Sequence, residues 1–476
     1  MHRVISILER LRKRAFGSVD IASLVFFRIA FGLLMAADVW RYYANNWVAT
    51  RWLEPRFLFK YYGFSWVQPW PGHWLYVHWI ALAVLGLFIA AGFFYRVSAA
   101  IFFLSYTYFF LLDEAWYVNH TYLICLFSFL LVFLPAHRAF SIDAWLKPQL
   151  HSQCAPAWTL WLLRFQMGIV YFYGGLAKLL SSDWLQGEPM RQLLGRRTDF
   201  PLFGRFFRDE WMVYLVSYGG LLLDLLIVPF LLWRRTRMPA FCLALAFHLT
   251  NARWFPIGIF PWLAIAATTL FFSPSWPRRI VQRFRHVNDF TGPKNWKPLS
   301  LNKQRLVLAL IAIYAAIQVL APLRHFLSSG GVEWMCSEHR FSWRMMLVSH
   351  YTRAFFYVTD PNTGATARVP PARFLSYRQC GLLAYLPDLP LQAAQYLAVV
   401  MPRRGPKPLR VEARIFVAIN GRPPRLYLDP NVDLAAEPRP FLFRPRWLLR
   451  IDDPLPPAEK RYKDDLGFPS IPPTTD

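Results

Sequence analysis

The sequence predicts a mainly α, multi-pass transmembrane helical bundle of about eight or nine spans, followed by a C-terminal β-rich extramembrane domain. Three observations predict it. Apolar runs recur along the first 322 residues with basic stretches between them, in a chain that is 55% hydrophobic yet carries a net charge of +25. Many of the 21 Trp, 22 Tyr and 42 Phe flank those runs, as an interfacial aromatic belt does. After Pro322 the hydropathy falls and the apolar period shortens to two. No nucleic-acid motif is present, so the positive charge reads as membrane topology and no nucleic-acid partner is expected.

Candidate spans cover 21–40, 75–95, 97–112, 120–135, 158–180, 211–233, 238–253, 254–272 and 305–322. The pair from Met238 to Phe272 also reads as one kinked span, because Asn251, Arg253 and Pro256 interrupt it. Lys and Arg collect on the cytoplasmic side. The clusters ERLRKR (9–14), WRRTR (233–237) and RRIVQRFRH (278–286) therefore belong inside, and the chain crosses an even number of times between the last two. Nine crossings then place everything after Pro322 outside; the five arginines of loop 181–210 run against this scheme. The first apolar run holds Arg28 and Asp38 and has no convincing cleavage site, so it reads as a retained span. The organisation expected is a membrane domain over 1–286, a linker over 287–304, a last span over 305–322, a non-cytoplasmic β-rich domain over 323–451 and a flexible tail over 452–476.

In the C-terminal part, 353–369 reads as two strands joined by a turn at Asp360–Gly364. Residues 411–421 alternate, with Val411, Ala413, Ile415, Val417 and Ile419 on one face. Cys125 and Cys242 read as packing residues and Cys154 as cytoplasmic; Cys336 and Cys380 share the outer domain, where a disulfide is possible.

The chemistry-bearing positions fall at one depth. Asn119 and His120 open the fourth span, Lys178 closes the fifth and His248 with Asn251 closes the seventh, all at the outer end, with the long loop 41–74 above them. A lysine there either snorkels to the interface or stands as a desolvated amine able to act as a base. An imidazole or amide at a helix end is equally an interfacial residue. Gathered around one apolar cavity, such groups suit base chemistry on a lipophilic substrate. Arg28, Arg164 and Asp224 read as structural, with a buried ion pair at a depth of roughly 9 Å for the arginines. His73 and His78 give one H-x4-H, but the further histidine boxes of a di-iron site are missing, and no metal is expected.

These residues carry a resemblance. The motifs are W-x-x-N-H-x-Y-L (Trp116 to Leu123), IVYFYGGLAKLLSSDW-x-x-G (Ile169 to Gly187), GGLLLDL (Gly219 to Leu225) and FH-x-x-N-x-x-x-F-x-IG-x-F (Phe247 to Phe260). SPSWPR (Ser273 to Arg278), FSW-x-MM (Phe341 to Met346) and IFVAING-x-x-x-x-LYLDPNVD (Ile415 to Asp433) continue them. Together they resemble the vitamin K-dependent γ-glutamyl carboxylases, whose membrane part is the HTTM (horizontally transferred transmembrane) domain.

The resemblance implies vitamin K hydroquinone (or menaquinol) as co-substrate, with O2 and CO2. A base deprotonates the hydroquinone, O2 adds, and the strong base so formed takes the γ-proton of a peptide or protein glutamate. CO2 then adds and the vitamin leaves as its epoxide. It assigns the initiating base to Lys178, assisted by His120 and Asn119, with His248, Asn251, Trp116 and Tyr173 around the quinone. An integral membrane location with the active site on the non-cytoplasmic side is expected, and the high Arg, Pro and Trp content points to a bacterial inner membrane. The animal enzymes have two adjacent lysines followed by Leu-Asp, where this chain has Ala177 before Lys178 and Leu179-Leu180 after it. They also extend further at the C-terminus, so weaker propeptide recognition is expected. Two alternatives stay open: a quinol epoxidase without carboxylation, and a non-catalytic lipid- or quinone-binding membrane protein.

Overall fold

The apolar runs fold as helices because they combine unbroken Leu, Phe and Ala with few backbone-competing side chains. A computed structural model describes residues 2–284, 298–327, 339–440, 445–451 and 453–461. Its apolar helices are α1 (Ala22–Ala44), α2 (His73–Ala91), α3 (Tyr95–Leu111), α4 (Asn119–Phe133) and α5 (Ala157–Leu179). They continue with α6 (Glu210–Leu232), α7 (Arg237–Trp254), α8 (Phe260–Thr268) and α9 (Leu301–Leu323). Among the described residues α1, α2, α6 and α9 are long and apolar enough to cross a membrane, and α3, α4 and α8 are shorter apolar helices. The segment from Met238 to Phe272 is two helices; Pro256 falls in the turn between them.

Aromatic side chains knit the bundle. Phe27 of α1 meets Phe127 of α4 edge-on at 5.1 Å, and Phe31 meets Phe102 of α3 at 5.9 Å. On α9, by contrast, Leu306, Leu310, Ile313, Ile317 and Leu320 are all exposed. A run of large aliphatic groups of this length fits lipid, not water. Cys125 is buried as expected, but Cys242 is exposed on α7 and packs no core; Cys336 lies outside the described residues.

Neither Arg28, which is buried, nor the partly buried Arg164 pairs with Asp224. Arg28 donates to the carbonyls of Ala136 (2.8 Å), Ala90 (3.1 Å) and Phe140 (2.6 Å), and Arg164 to those of Leu270 (2.7 Å) and Phe272 (3.0 Å). Unsatisfied carbonyls at helix C-termini attract a guanidinium, and they supply what an acid was expected to supply. A short antiparallel pair, β1 (Ser18–Asp20) with β2 (Cys154–Pro156), ties the starts of α1 and α5 together. Nothing in the sequence pattern announced it.

The C-terminal sheet has the antiparallel order β4-β3-β5-β6, formed by β3 (His350–Thr359), β4 (Thr366–Val369), β5 (Arg410–Ile419) and β6 (Arg425–Leu426). The expected turn joins β3 to β4, held by Asp360, whose carboxylate accepts from the Asn362 amide at 2.9 Å. Val411, Ala413, Ile415, Val417 and Ile419 are buried on one face, as their alternation predicts. That face is covered by α10 (Tyr377–Leu382), opened by a Ser376–Gln379 capping box, and α11 (Asp388–Val400). The region is therefore a sheet with helices, not strands alone.

Acids at one end of the bundle hold this region down. Asp183 accepts two bonds from Arg422, at 2.5 and 2.8 Å, and one from Asn420 at 2.8 Å. Glu114 pairs with Arg340 and Arg439 and accepts from Gln392 at 2.9 Å; Asp113 accepts from Gln379 at 2.8 Å. Buried charges persist only when paired and hydrogen-bonded in this way.

Candidate active site

Between the bundle and the sheet region lies a cavity of about 390 Å³. Lys178, Asp224, Asn119, His120, His248 and Asn251 line it from α4, α5, α6 and α7. Met345, Met346, Val348, His350, Arg378 and Tyr385 close it from the C-terminal side.

Lys178 sits in the last turn of α5, where the ammonium meets carbonyl ends. It is 6% exposed, so it does not snorkel. Its Nζ donates to Asp224 Oδ2 at 2.6 Å and to the Gly174 carbonyl at 3.2 Å, and lies 5.1 Å from the centre of the Trp184 ring. Glycine makes the pair possible. A Cβ on Gly175 would stand 2.9 Å from the Leu225 backbone nitrogen, so only a bare Cα lets α5 and α6 approach this closely. That approach carries Asp224 to the lysine.

His120 occupies the first turn of α4 beside Gly258, which has φ +66°. A side chain there would be strained and would press on His120 Nε2 (3.3 Å) and on the Arg41 guanidinium (3.1 Å). Asp38 holds Arg41 in place at 2.5 Å. Asn119 is oriented by a relay: the Phe341 amide donates to Tyr117 Oη (2.7 Å), whose hydroxyl donates to Asn119 Oδ1 (3.1 Å). The Asn119 amide nitrogen therefore remains a donor.

His248 is buried, with Nε2 2.7 Å from the Tyr171 hydroxyl, which also reaches Thr268 Oγ1 at 3.2 Å. Among the described residues its Nδ1 has no hydrogen-bond partner. His350, half-buried in the roof, donates from Nε2 to the Gly381 carbonyl (3.1 Å), and burial pushes its pKa down to about 4.

Two of the seven residues expected here are not in the cavity wall. Tyr173 donates to the Val319 carbonyl of α9 at 2.7 Å. It lies about 200° around α5 from Tyr171, whereas Tyr171, Gly174 and Lys178 share one face. Trp116 stands behind the wall, with the Arg51 and Arg378 guanidinium carbons 4.0 and 4.6 Å from its ring centre. The sequence reading missed Tyr171, Arg378 and the role of Asp224. Helical spacing from Lys178 marks Tyr171, and GGLLLDL marks Asp224, but no local signal marks Arg378.

The bundle side of the chamber joins an amine, a carboxylate, two imidazoles and two amides to apolar walls. Two family domains match the sequence that builds it. The HTTM domain matches residues 16–276, and the lumenal domain of vitamin K-dependent gamma-carboxylase matches residues 303–453.

The chain belongs to the vitamin K-dependent gamma-carboxylase family.

No solved structure matches it. The HTTM match spans α1 to α8 and so every bundle residue of the cavity, while the lumenal-domain match spans α9 and the roof. The protein is a vitamin K-dependent gamma-carboxylase-like membrane protein.

Proposed function

We propose that the protein couples oxygenation of vitamin K hydroquinone, or menaquinol, to γ-carboxylation of a peptide glutamate. The observation that carries this reading is Lys178, buried against Asp224 in the same chamber as His120 and Asn119. The hydroquinone supplies the reducing power. With O2, CO2 and a glutamyl residue it gives the epoxide, water and γ-carboxyglutamate, which balances in atoms and electrons.

Lys178 is the initiating base. Proton transfer inside its ion pair converts ammonium and carboxylate to amine and carboxylic acid without changing net charge. The amine then takes the phenolic proton. Asp224, the Gly174 carbonyl and the Trp184 face stabilise the ammonium that results. The Asn119 amide nitrogen and His120 address the substrate oxygens, and His248 with Asn251 borders the ring. The apolar walls keep water from a strongly basic centre. A peptide glutamate enters from the roof side, where Arg378 offers a cation to a carboxylate. This side is read as non-cytoplasmic, in a bacterial inner membrane.

Purified protein incubated with vitamin K hydroquinone, bicarbonate and a Glu-rich peptide tests the proposal. Epoxide and carboxylated peptide are both expected. Epoxide alone removes the carboxylation step, and absence of both products removes the enzymatic reading.

A further inference from the structure

The roof stands over the end of α5 at Lys178; at its opposite end, two short helices lie outside the bundle. The N-terminal helix (His2–Ala15) precedes α1, and the helix Trp276–Gln282 follows α8. Each is tied down by an arginine. Arg12 Nη1 donates to Gln304 Oε1 of α9 at 2.8 Å, and Arg278 donates to both carboxylate oxygens of the buried Asp20 in β1, at 2.9 and 3.2 Å. Five residues of chain run from Ala15 to Asp20, a reach of at most roughly 18 Å, so the two helices are neighbours.

Outward, the two helices present one sign of charge beside large apolar groups. Lys13, Arg14, Arg279 and Arg283 are exposed, and Glu9 is the single acid in the sequence of either helix. Leu11, Ile280, Val281 and Phe284 are exposed among these cations, Phe284 at 83%. Arg279 and Arg283 form one stripe four residues apart, and Ile280 and Phe284 form the next, about 100° further round. The exposed leucines of α9 begin beside Gln304, with Leu301 and Leu306. Water would solvate the cations and not the phenylalanine; hydrocarbon would take the phenylalanine and not the cations. A headgroup layer accepts both at once. Its phosphates accept from guanidinium and ammonium groups, and a zwitterionic headgroup brings its own ammonium, so the charge selects an anionic one. Nucleic acid also supplies phosphates, but it has no acyl region to receive Phe284 and Ile280.

We infer that the N-terminal helix and the helix Trp276–Gln282 lie in the headgroup layer of the leaflet opposite the roof and bind anionic phospholipids there. Lys13, Arg14, Arg279 and Arg283 take the phosphates, and the neighbouring apolar groups enter the acyl boundary. Arg12 and Arg278 fix the two helices at the starts of α9 and α1, so the bound lipids frame the end of the bundle away from the chamber. The inference is independent of the proposed quinol chemistry.

The test uses the full chain in detergent, titrated with dioleoyl phosphatidylglycerol or dioleoyl phosphatidylcholine and read by native mass spectrometry. Phosphatidylglycerol should bind at least about fivefold more tightly, as several cations facing one anionic headgroup require. The variant Lys13→Gln/Arg14→Gln/Arg279→Gln/Arg283→Gln leaves Arg12 and Arg278 in place. It should keep its helical circular dichroism and lose the preference to within about twofold. Arg353→Gln/Arg368→Gln/Arg414→Gln, three exposed cations of the sheet region, should retain it. In nanodiscs, a phosphatidylglycerol carrying a headgroup diazirine should label residues 9–14 and 276–284. Equal binding of the two lipids, a preference that survives the fourfold variant, or labelling confined to the roof end overturns the inference. Displacement of the lipid by equimolar glycerol 3-phosphate, or by a single-stranded DNA oligomer, also overturns it, by making a soluble phosphate or a nucleic acid the ligand. Epoxide formation is not read here, so failure of the enzymatic reading leaves the lipid site standing.

Discussion

At the residue scale, Lys178 is held in a buried ion pair with the Asp224 carboxylate at 2.6 Å. Breaking a buried pair strands a charge, at a cost of about 3–5 kcal/mol, while replacing both partners by apolar groups is often neutral. Lys178→Met and Asp224→Leu should therefore each lower thermal stability in detergent, and the double variant should recover most of the loss. Equal stability of all four proteins would contradict the ion pair. His350 gives a pH prediction. Its pKa is held near 4 by burial, with the positive charges of Arg378 and Arg196 adding to the effect and the Gly381 carbonyl opposing it. Because the folded value lies below the ordinary imidazole range, its share of stability is intact above about pH 6.5 and falls away towards pH 4. A His350→Gln variant should show a shallower fall in melting temperature between pH 7 and 4.5 than the parent; identical slopes would remove this role.

At the element scale, α5 and α6 bring Lys178 and Asp224 together only through a glycine contact. In Gly175→Val the new side chain would start 2.8 Å from the Leu225 side chain and 2.9 Å from its backbone nitrogen. Overpacking of this kind costs about 1–3 kcal/mol. The melting temperature should drop and epoxide formation should fall by at least tenfold as Asp224 is pushed away; unchanged activity would show that the close approach is dispensable. Helical period and family motifs were enough to place Lys178, Asn119, His120, His248 and Asn251 at one end of the bundle. They were not enough to find partners. Counting depth along separate helices matched Asp224 with Arg28 and Arg164, because depth carries no azimuth. The β alternation of 411–419 was legible, and the Ser376–Gln379 capping box was a local signal for α10, whereas the β1–β2 pair depends on long-range contacts that no local pattern encodes.

At the scale of the whole molecule, the chamber exists because the sheet region is bolted to the bundle. Asp183, five residues after Lys178, is buried under Arg422 and Asn420, and Asn420 Oδ1 accepts from the Ser349 amide at 2.8 Å. This clamp links the end of α5 to the segment carrying Met345, Met346 and Val348. Arg422→Ala leaves the Asp183 carboxylate buried without its guanidinium, a loss of about 3–5 kcal/mol. Limited proteolysis should then cut the sheet region much faster while the bundle keeps its helical circular dichroism. Parental resistance to proteolysis would show that the clamp does not hold the roof.

Single-turnover epoxide formation from vitamin K hydroquinone measures the proposed role of Lys178 as initiating base most directly. Wild-type protein should form the epoxide. Lys178→Ala, purified with the same helical content, should form it at least a hundredfold more slowly, in line with loss of a positioned general base. Wild-type rates in the Lys178→Ala variant would contradict the account.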